Sequence, residues 1–409
     1  MIPNKKKYFF FPKLQLKHLL FLLFFIISIL KKTFQMHFEK SFKLAVDFLK
    51  LYLYDIGDFF SIIPFLITKK RTQTKKLEKK TKRGKNDIKY LHTDVVKDST
   101  SFKNALLFSI VDFIAQISPV VFYIVKEDQK LEVRTTNLNT IVIFNIVFIM
   151  LFSYLILHTK FYNHHLFALL IDIFCFIILT VFDFIKIYKE KEGISTMAII
   201  YILIKTINVI LYSFSNVLAK FLILYNFFST YGLLVAKSIF DLIFLIIFSS
   251  PFIFKKIEIK NEGSKLIFSM IADIFKEKKY YIIVICYTLI SFLYNNLSLK
   301  IIDAFSPNHF AISRVLENMG VFIIDLIING IYSEDYIAIK IIVYILLIFS
   351  TIIFNEFLVI NIFNFAKNTK LFLDYEFEIE NCINEEFEEN EEPNSTIYND
   401  DRKLSLINL

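Results

Sequence analysis

The sequence predicts an all-α, multi-pass membrane protein of about ten transmembrane helices, and three observations carry that class. Of 409 residues, 56% are hydrophobic and the mean hydropathy is +0.54, whereas a soluble domain is about 45–50% apolar. Apolar runs near the roughly 20 residues needed to cross a hydrocarbon core recur along most of the chain. Charge is segregated: residues 69–89 hold eleven Lys/Arg and two acids, and residues 371–409 hold twelve Asp/Glu and two bases. Within hydrocarbon the backbone satisfies its own hydrogen bonds only as a helix or a closed barrel. Runs this long and continuous are helices.

The spans fall at about 9–30, 42–67, 102–125, 138–157, 165–187, 196–219, 226–254, 280–302, 308–330 and 336–361. Residues 1–68 carry the first two. The oiliest part of span one, LLFLLFFIISIL (19–30), has Lys5–Lys7, Lys13 and Lys17 before it and Lys31-Lys32 after it. No small-residue cleavage site follows, so it reads as an uncleaved span rather than a signal peptide. Span two contains Asp47, Lys50, Asp55 and Asp58 and reads as partly interfacial. Residues 69–100 form a basic loop, which the positive-inside rule places in the cytoplasm. Spans three to five occupy 101–187 and spans six to ten occupy 188–361. An even count then puts both termini in the cytoplasm, in an endomembrane or the plasma membrane. The basic stretch 255–279 falls on the opposite side and reads as an amphipathic segment lying on the membrane. The acidic tail, 362–409, is too polar to bury a core and reads as disordered.

Polar residues recur at helical spacing inside these spans. Arg314, Glu317, Val321 and Asp325 share a face, behind Ser306 as a helix cap and Pro307 at the first helical position. Lys205, Asn208, Tyr212, Asn216 and Lys220 form a second seam, and Thr230, Lys237 and Asp241 a third. Thr288, Ser291, Asn295 and Ser298 form a fourth, and Ser109, Asp112 and Gln116 a fifth. Charged groups in a span are costly and usually face a bundle interior or a wet cavity. The set therefore predicts a central polar cavity lined from Asp112, Gln116, Lys205, Asn208, Asn216, Lys220, Lys237, Asp241, Asn295, Ser298, Arg314, Glu317 and Asp325. Each residue alone also has a structural reading: Arg314–Glu317 and Lys237–Asp241 as local ion pairs, Ser and Asn as interhelical hydrogen bonders, Lys205 and Lys220 as snorkelling side chains.

Two passages in the second half, SFSNVLAKFLILYNFFSTYGLLVAKSIFDLIFLII (213–247) and YNNLSLKIIDAFSPNHFAISRVLENMGVFIIDLIING (294–330), resemble the drug/metabolite transporter superfamily. That group of ten-helix carriers includes EamA-like proteins and nucleotide-sugar transporters. The resemblance covers 196–361, and 102–187 more loosely. It implies two five-helix halves in inverted topology, about 9–187 and 196–361, with a hinge at Ser306-Pro307 that closes a central cavity. The chain departs from the family in having only seven glycines, so Ser and Ala would take over their packing role.

Other chemistries lack their residues. Cys175, Cys286 and Cys382 form no CxxC. His18, His37, His92, His158, His164, His165 and His309 form no H-x-x-H-H or H-x-x-x-x-D pattern, and His158, His164 and His165 read as a solvated loop rather than a metal site. There is no G-x-x-x-x-G-K-[ST] and no Arg-rich span. The expected function is secondary transport of a small polar metabolite, on the count of basic side chains an anionic one, by alternating access. No catalysis, cofactor or metal is expected, and the expected partners are the solute and the bilayer, not nucleic acid. The alternatives are a non-transporting multi-pass scaffold and, behind it, a membrane-embedded enzyme.

Overall fold

The computed structural model describes residues 9–10, 19–41, 44–69, 99–128, 144–191, 196–226, 228–253, 256–259, 263–266, 278–329, 337–354, 356, 358–360 and 369. Among the described residues, ten helices of 13 to 30 residues follow one another. They are α1 (Leu19–Ser41), α2 (Leu44–Phe59), α3 (Ser99–Asp128), α4 (Asn145–Leu157), α5 (Asn163–Lys191), α6 (Thr196–Tyr225), α7 (Thr230–Ile253), α8 (Lys278–Ala304), α9 (Pro307–Asn329) and α10 (Ile337–Phe354). Among the described residues, six segments are long and apolar enough to cross a membrane: Leu49–Lys69, Asn163–Phe182, Leu203–Tyr225, Thr230–Pro251, Tyr280–Ala304 and Ile337–Phe354. The molecule is an integral, multi-pass membrane protein.

Its surface inverts the pattern of a soluble fold. Along α5, Leu166, Leu170, Phe174, Ile177 and Val181 are exposed at steps of three and four residues, an apolar stripe suited to lipid. Asp55, Asp58, Asp112, Lys237, Asp241 and Glu317 are buried. An apolar exterior of this extent marks a membrane-facing surface.

Several element boundaries differ from expectation. Helix α1 begins at Leu19 rather than residue 9 and runs through Lys31-Lys32 to Ser41. Phe9–Phe10 (β1) instead pairs antiparallel with Val359–Ile360 (β4). Helix α2 is interrupted by a turn at residues 60–61 before helix resumes over 62–69. Pro64 lacks an amide N–H, and its ring crowds the carbonyl four residues earlier, so the break falls at Phe60. Within 255–279, expected as an amphipathic segment, Lys256–Ile259 (β2) and Gly263–Leu266 (β3) form an antiparallel hairpin. Its alternation of Lys, Ile, Glu and Ile follows the period of a strand. The basic loop over 70–98 and the tail from 370 lie outside the described residues.

Packing joins helices distant in sequence. Helix α3 packs on α6 and α1 on α8, α4 on α6 and α9 on α1, α2 on α8 and α7 on α3. The pairs α2–α3 and α7–α8, and α4–α5 and α9–α10, follow suit, and α2–α7, α4–α9 and α5–α10 meet each other. Replacing each helix by the one five places away turns each of these pairs into another of them or, for the last three, into itself. Among the described residues, the contacts of α8 with α9 and with α6 have no counterparts of similar extent between α3 and α4 or α3 and α1. One apolar cluster, with Ile149, Leu179, Val343 and Leu347, ties α4, α5, α9 and α10 together. A second, with Phe24, Phe108, Leu222, Leu234 and Ile301, ties α1, α3, α6, α7 and α8. The two clusters leave a polar seam between α2, α3, α6, α7 and α8.

Candidate functional site

Lys237 is the centre of that seam. It sits two turns into α7, and its Nζ lies 3.1 Å from the Asp241 carboxylate one turn on. Helix α2 brings Asp58 to 2.9 Å and α3 brings Asp112 to 3.1 Å. All four side chains are at most 7% exposed. The carboxylates are held in turn: Asn295 Nδ2 donates to Asp58 at 2.5 Å, Ser215 Oγ to Asp112 at 2.9 Å, and Gln116 Nε2 to Asp112 at 2.5 Å. The Tyr54 ring lies 5.0 Å from Lys237 Nζ. Asp55 precedes Asp58 by three residues on α2 and so shares its face. It is buried within the field of the same charges. Asp55 keeps an oxygen without a hydrogen bond, as does Asp241.

Charge counting decides what this cluster can be. One lysine faces three carboxylates, and Asp55 makes a fourth nearby. Several buried anions cannot all stay ionised around one cation in a dry interior. The excess of carboxylate over lysine makes this seam the polar centre of the bundle, around a cavity. That cavity is small, about 40 Å³, and is lined by Tyr54, Asp58, Asp112, Tyr212, Lys237 and Asn295 among others. It has room for a few waters and none for a metabolite in this conformation.

A cationic and aromatic layer borders the acidic one. Lys31 Nζ lies 3.8 Å from the Tyr294 ring centroid and 4.5 Å from that of Tyr54. Arg314 stacks over Tyr212 at 4.5 Å and lies 3.8 Å from Glu317, which accepts a hydrogen bond from the Tyr294 hydroxyl at 3.2 Å.

The sequence-derived candidates divide. Asp112, Asn216, Lys237, Asn295 and Ser298 line the cavity, Asp241 and Gln116 touch its charged centre, and Arg314 and Glu317 belong to the bordering layer. Asn208 instead bonds Ala115 and Ser118 across the α3–α6 contact. Lys220 donates to the Asp303 carbonyl at 2.7 Å, joining α6 to the end of α8. Lys205 is half-buried and is not among the residues lining the cavity. The side chain of Asp325 lies outside the described residues. Tyr54, Asp55 and Asp58 are absent from the sequence-derived set. Their span reads as partly interfacial, yet Asp55 and Asp58 are 1% and 0% exposed. The signal is present in the helical phase of Tyr54, Asp58 and Ser61, which share one face.

The histidines also depart from expectation. His164 and His165 open α5 rather than lying in a solvated loop, and His164 is 3% exposed. His158 is exposed in the left-handed cap of α4.

No family model matches this chain, and no curated protein matches it. Among solved structures, a chain described as "Crystal structure of protein" aligns with a TM-score of 0.46 and 11% identity, over 82% of this chain and 97% of that one.

Proposed function

We propose that the protein is a secondary carrier of the drug/metabolite transporter type, moving a small polar metabolite by alternating access. The observation that carries this reading is Lys237 with Asp58, Asp112 and Asp241 around a cavity between helices of both halves. A scaffold gains nothing from such a cluster, because apolar packing of the same volume is commonly as stable or more so. A carrier needs it, since groups that exchange a cation between solute and solvent must lie where both can reach. In this reading the aspartates carry protons, and the structure corresponds to an occluded state. Lys237 is enclosed by its carboxylates, so in this reading an anionic moiety meets the bordering cations Lys31 and Arg314, the latter exchanging its contact with Glu317.

The exchange of packing partners between helices five places apart supports two five-helix halves. If all ten helices span, an odd number per half makes the halves inverted, as in many secondary transporters. Both termini would then share the cytoplasmic side with the basic loop.

The test is a thermal-shift screen of the purified protein in detergent against nucleotide sugars, nucleotides, sugar phosphates, amino acids and basic drugs. A ligand that binds only the folded state raises apparent stability by mass action. The expected result is a saturable hit that is lost in Arg314→Ala and that enters proteoliposomes faster under a proton gradient. A folded sample with no hit across the library supports the scaffold reading instead.

A further inference from the structure

We infer that His164, His165 and Glu356 form a binding site for a divalent transition-metal ion, where the start of α5 meets the chain beyond α10. One ligand atom from each residue lies within 4.8 Å of the others, and His164 Nε2 is 3.3 Å from Glu356 Oε1. Two imidazoles and a carboxylate are the ligand set of zinc sites that keep an open position. An ion binding them at about 2.0–2.2 Å draws the widest pair together by roughly an ångström, a movement within reach of side-chain torsions.

A second observation points to a ligand. His164 is 3% exposed, yet neither of its ring nitrogens has a hydrogen bond. A buried imidazole normally finds partners for its N–H and its lone pair, and a metal supplies one for the lone pair. The surroundings hold the rings in place. Tyr162 stacks on both histidines, and Phe354 lies 4.6 Å from His165, centroid to centroid. Glu356 is carried in a turn with φ 56°, closed by its N–H to the Ile353 carbonyl at 3.0 Å. His165 Nδ1 accepts the Tyr162 backbone N–H at 3.3 Å; a metal at that nitrogen replaces this long bond.

The position gives the ion a mechanical role. It joins the start of α5 to the turn just beyond α10, and the two helices are already pinned by Ser350 Oγ donating to the Ala168 carbonyl at 2.9 Å. The α8–α9 connection adjoins it: His309, bonded to Ser306 at 2.7 Å, packs on the same Phe354 ring. This inference rests on the fold and not on the transport reading.

The experiment uses tag-free, chelator-stripped protein in detergent, titrated with Co²⁺ and then Zn²⁺. The expected result is one saturable Co²⁺ per chain, with visible d–d absorption that Zn²⁺ abolishes. His164→Ala and Glu356→Gln should each weaken Zn²⁺ binding by about 100-fold or more, beyond the usual loss from an outer-shell change. His158→Ala, outside the cluster, should leave it unchanged. Absence of a saturable one-to-one spectrum from monodisperse wild-type protein overturns the site. So does an equal loss in His158→Ala. If His164→Ala fails to fold, Glu356→Gln, at a partly exposed position, gives the same reading.

Discussion

Lys237 faces three carboxylates with a single charge, so its removal and theirs have different consequences. Lys237→Met should destabilise the protein by about 3–5 kcal/mol, because it leaves buried aspartates without a cation. Adding Asp241→Asn should restore part of that loss, since the two residues share one network and their effects do not add. Thermal unfolding of both variants in detergent checks this; strict additivity would show that the pair does not interact. Lys220→Met removes only a hydrogen bond to a backbone carbonyl and should cost about 1–3 kcal/mol by the same measurement. Some of this chemistry is legible in the sequence. Lys237 and Asp241 are four apart on one helix, as are Asp112 and Gln116, so each pair can be read from spacing alone. Asp58 offers only its helical phase with Tyr54 and Ser61, and Asp47 and Lys50 nearby make its whole span look too polar to lie in the bundle.

At the scale of elements, a close approach joins α2 and α8. A Cβ at Gly57 would lie 2.8 Å from the Thr288 carbonyl oxygen and 3.2 Å from the Phe292 nitrogen. Backbone cannot yield as a flexible side chain can, so α2 would have to move away, carrying Asp58 from Lys237. Gly57→Val should therefore destabilise by about 1–3 kcal/mol, the range for overpacking. Gly320→Ala should cost less, since the added carbon meets the mobile end of Ile29. Comparing their melting temperatures tests the difference. Close approach through a small residue is a common device in membrane helix pairs, and with seven glycines in the chain it is used sparingly here. Hydropathy locates the ten helices in order, but not the break at Phe60 or the extension of α1 through Lys31. The first follows from Pro64, four residues on. The second depends on Tyr54 and Tyr294, whose rings receive Lys31 and let a cation lie inside the bundle.

For the whole molecule, the proposed ten-span arrangement predicts sidedness. A cysteine at Lys160, exposed between α4 and α5, should be labelled by an impermeant thiol reagent from the same side as one placed in the 69–89 loop. A cysteine at Glu192, between α5 and α6, should be labelled from the other side. Labelling of both from one side would sink the alternating arrangement. The sequence by itself determined the membrane class, the helical character and order of the apolar segments, and the presence of a polar seam on several of them. These follow from local quantities: the length of an apolar run, and the phase of polar residues along a helix. Only the tertiary structure decided which seams meet. Lys237 and Asp58 are 179 residues apart, and Asn295 reaches the same carboxylate across 237. The physical reason lies in the solvent. Lipid and protein interior are both apolar, so hydropathy cannot tell a face turned to lipid from one packed on another helix. The polar residues then report that a helix has an inward face, while the partner it meets is fixed by the packing of the whole bundle.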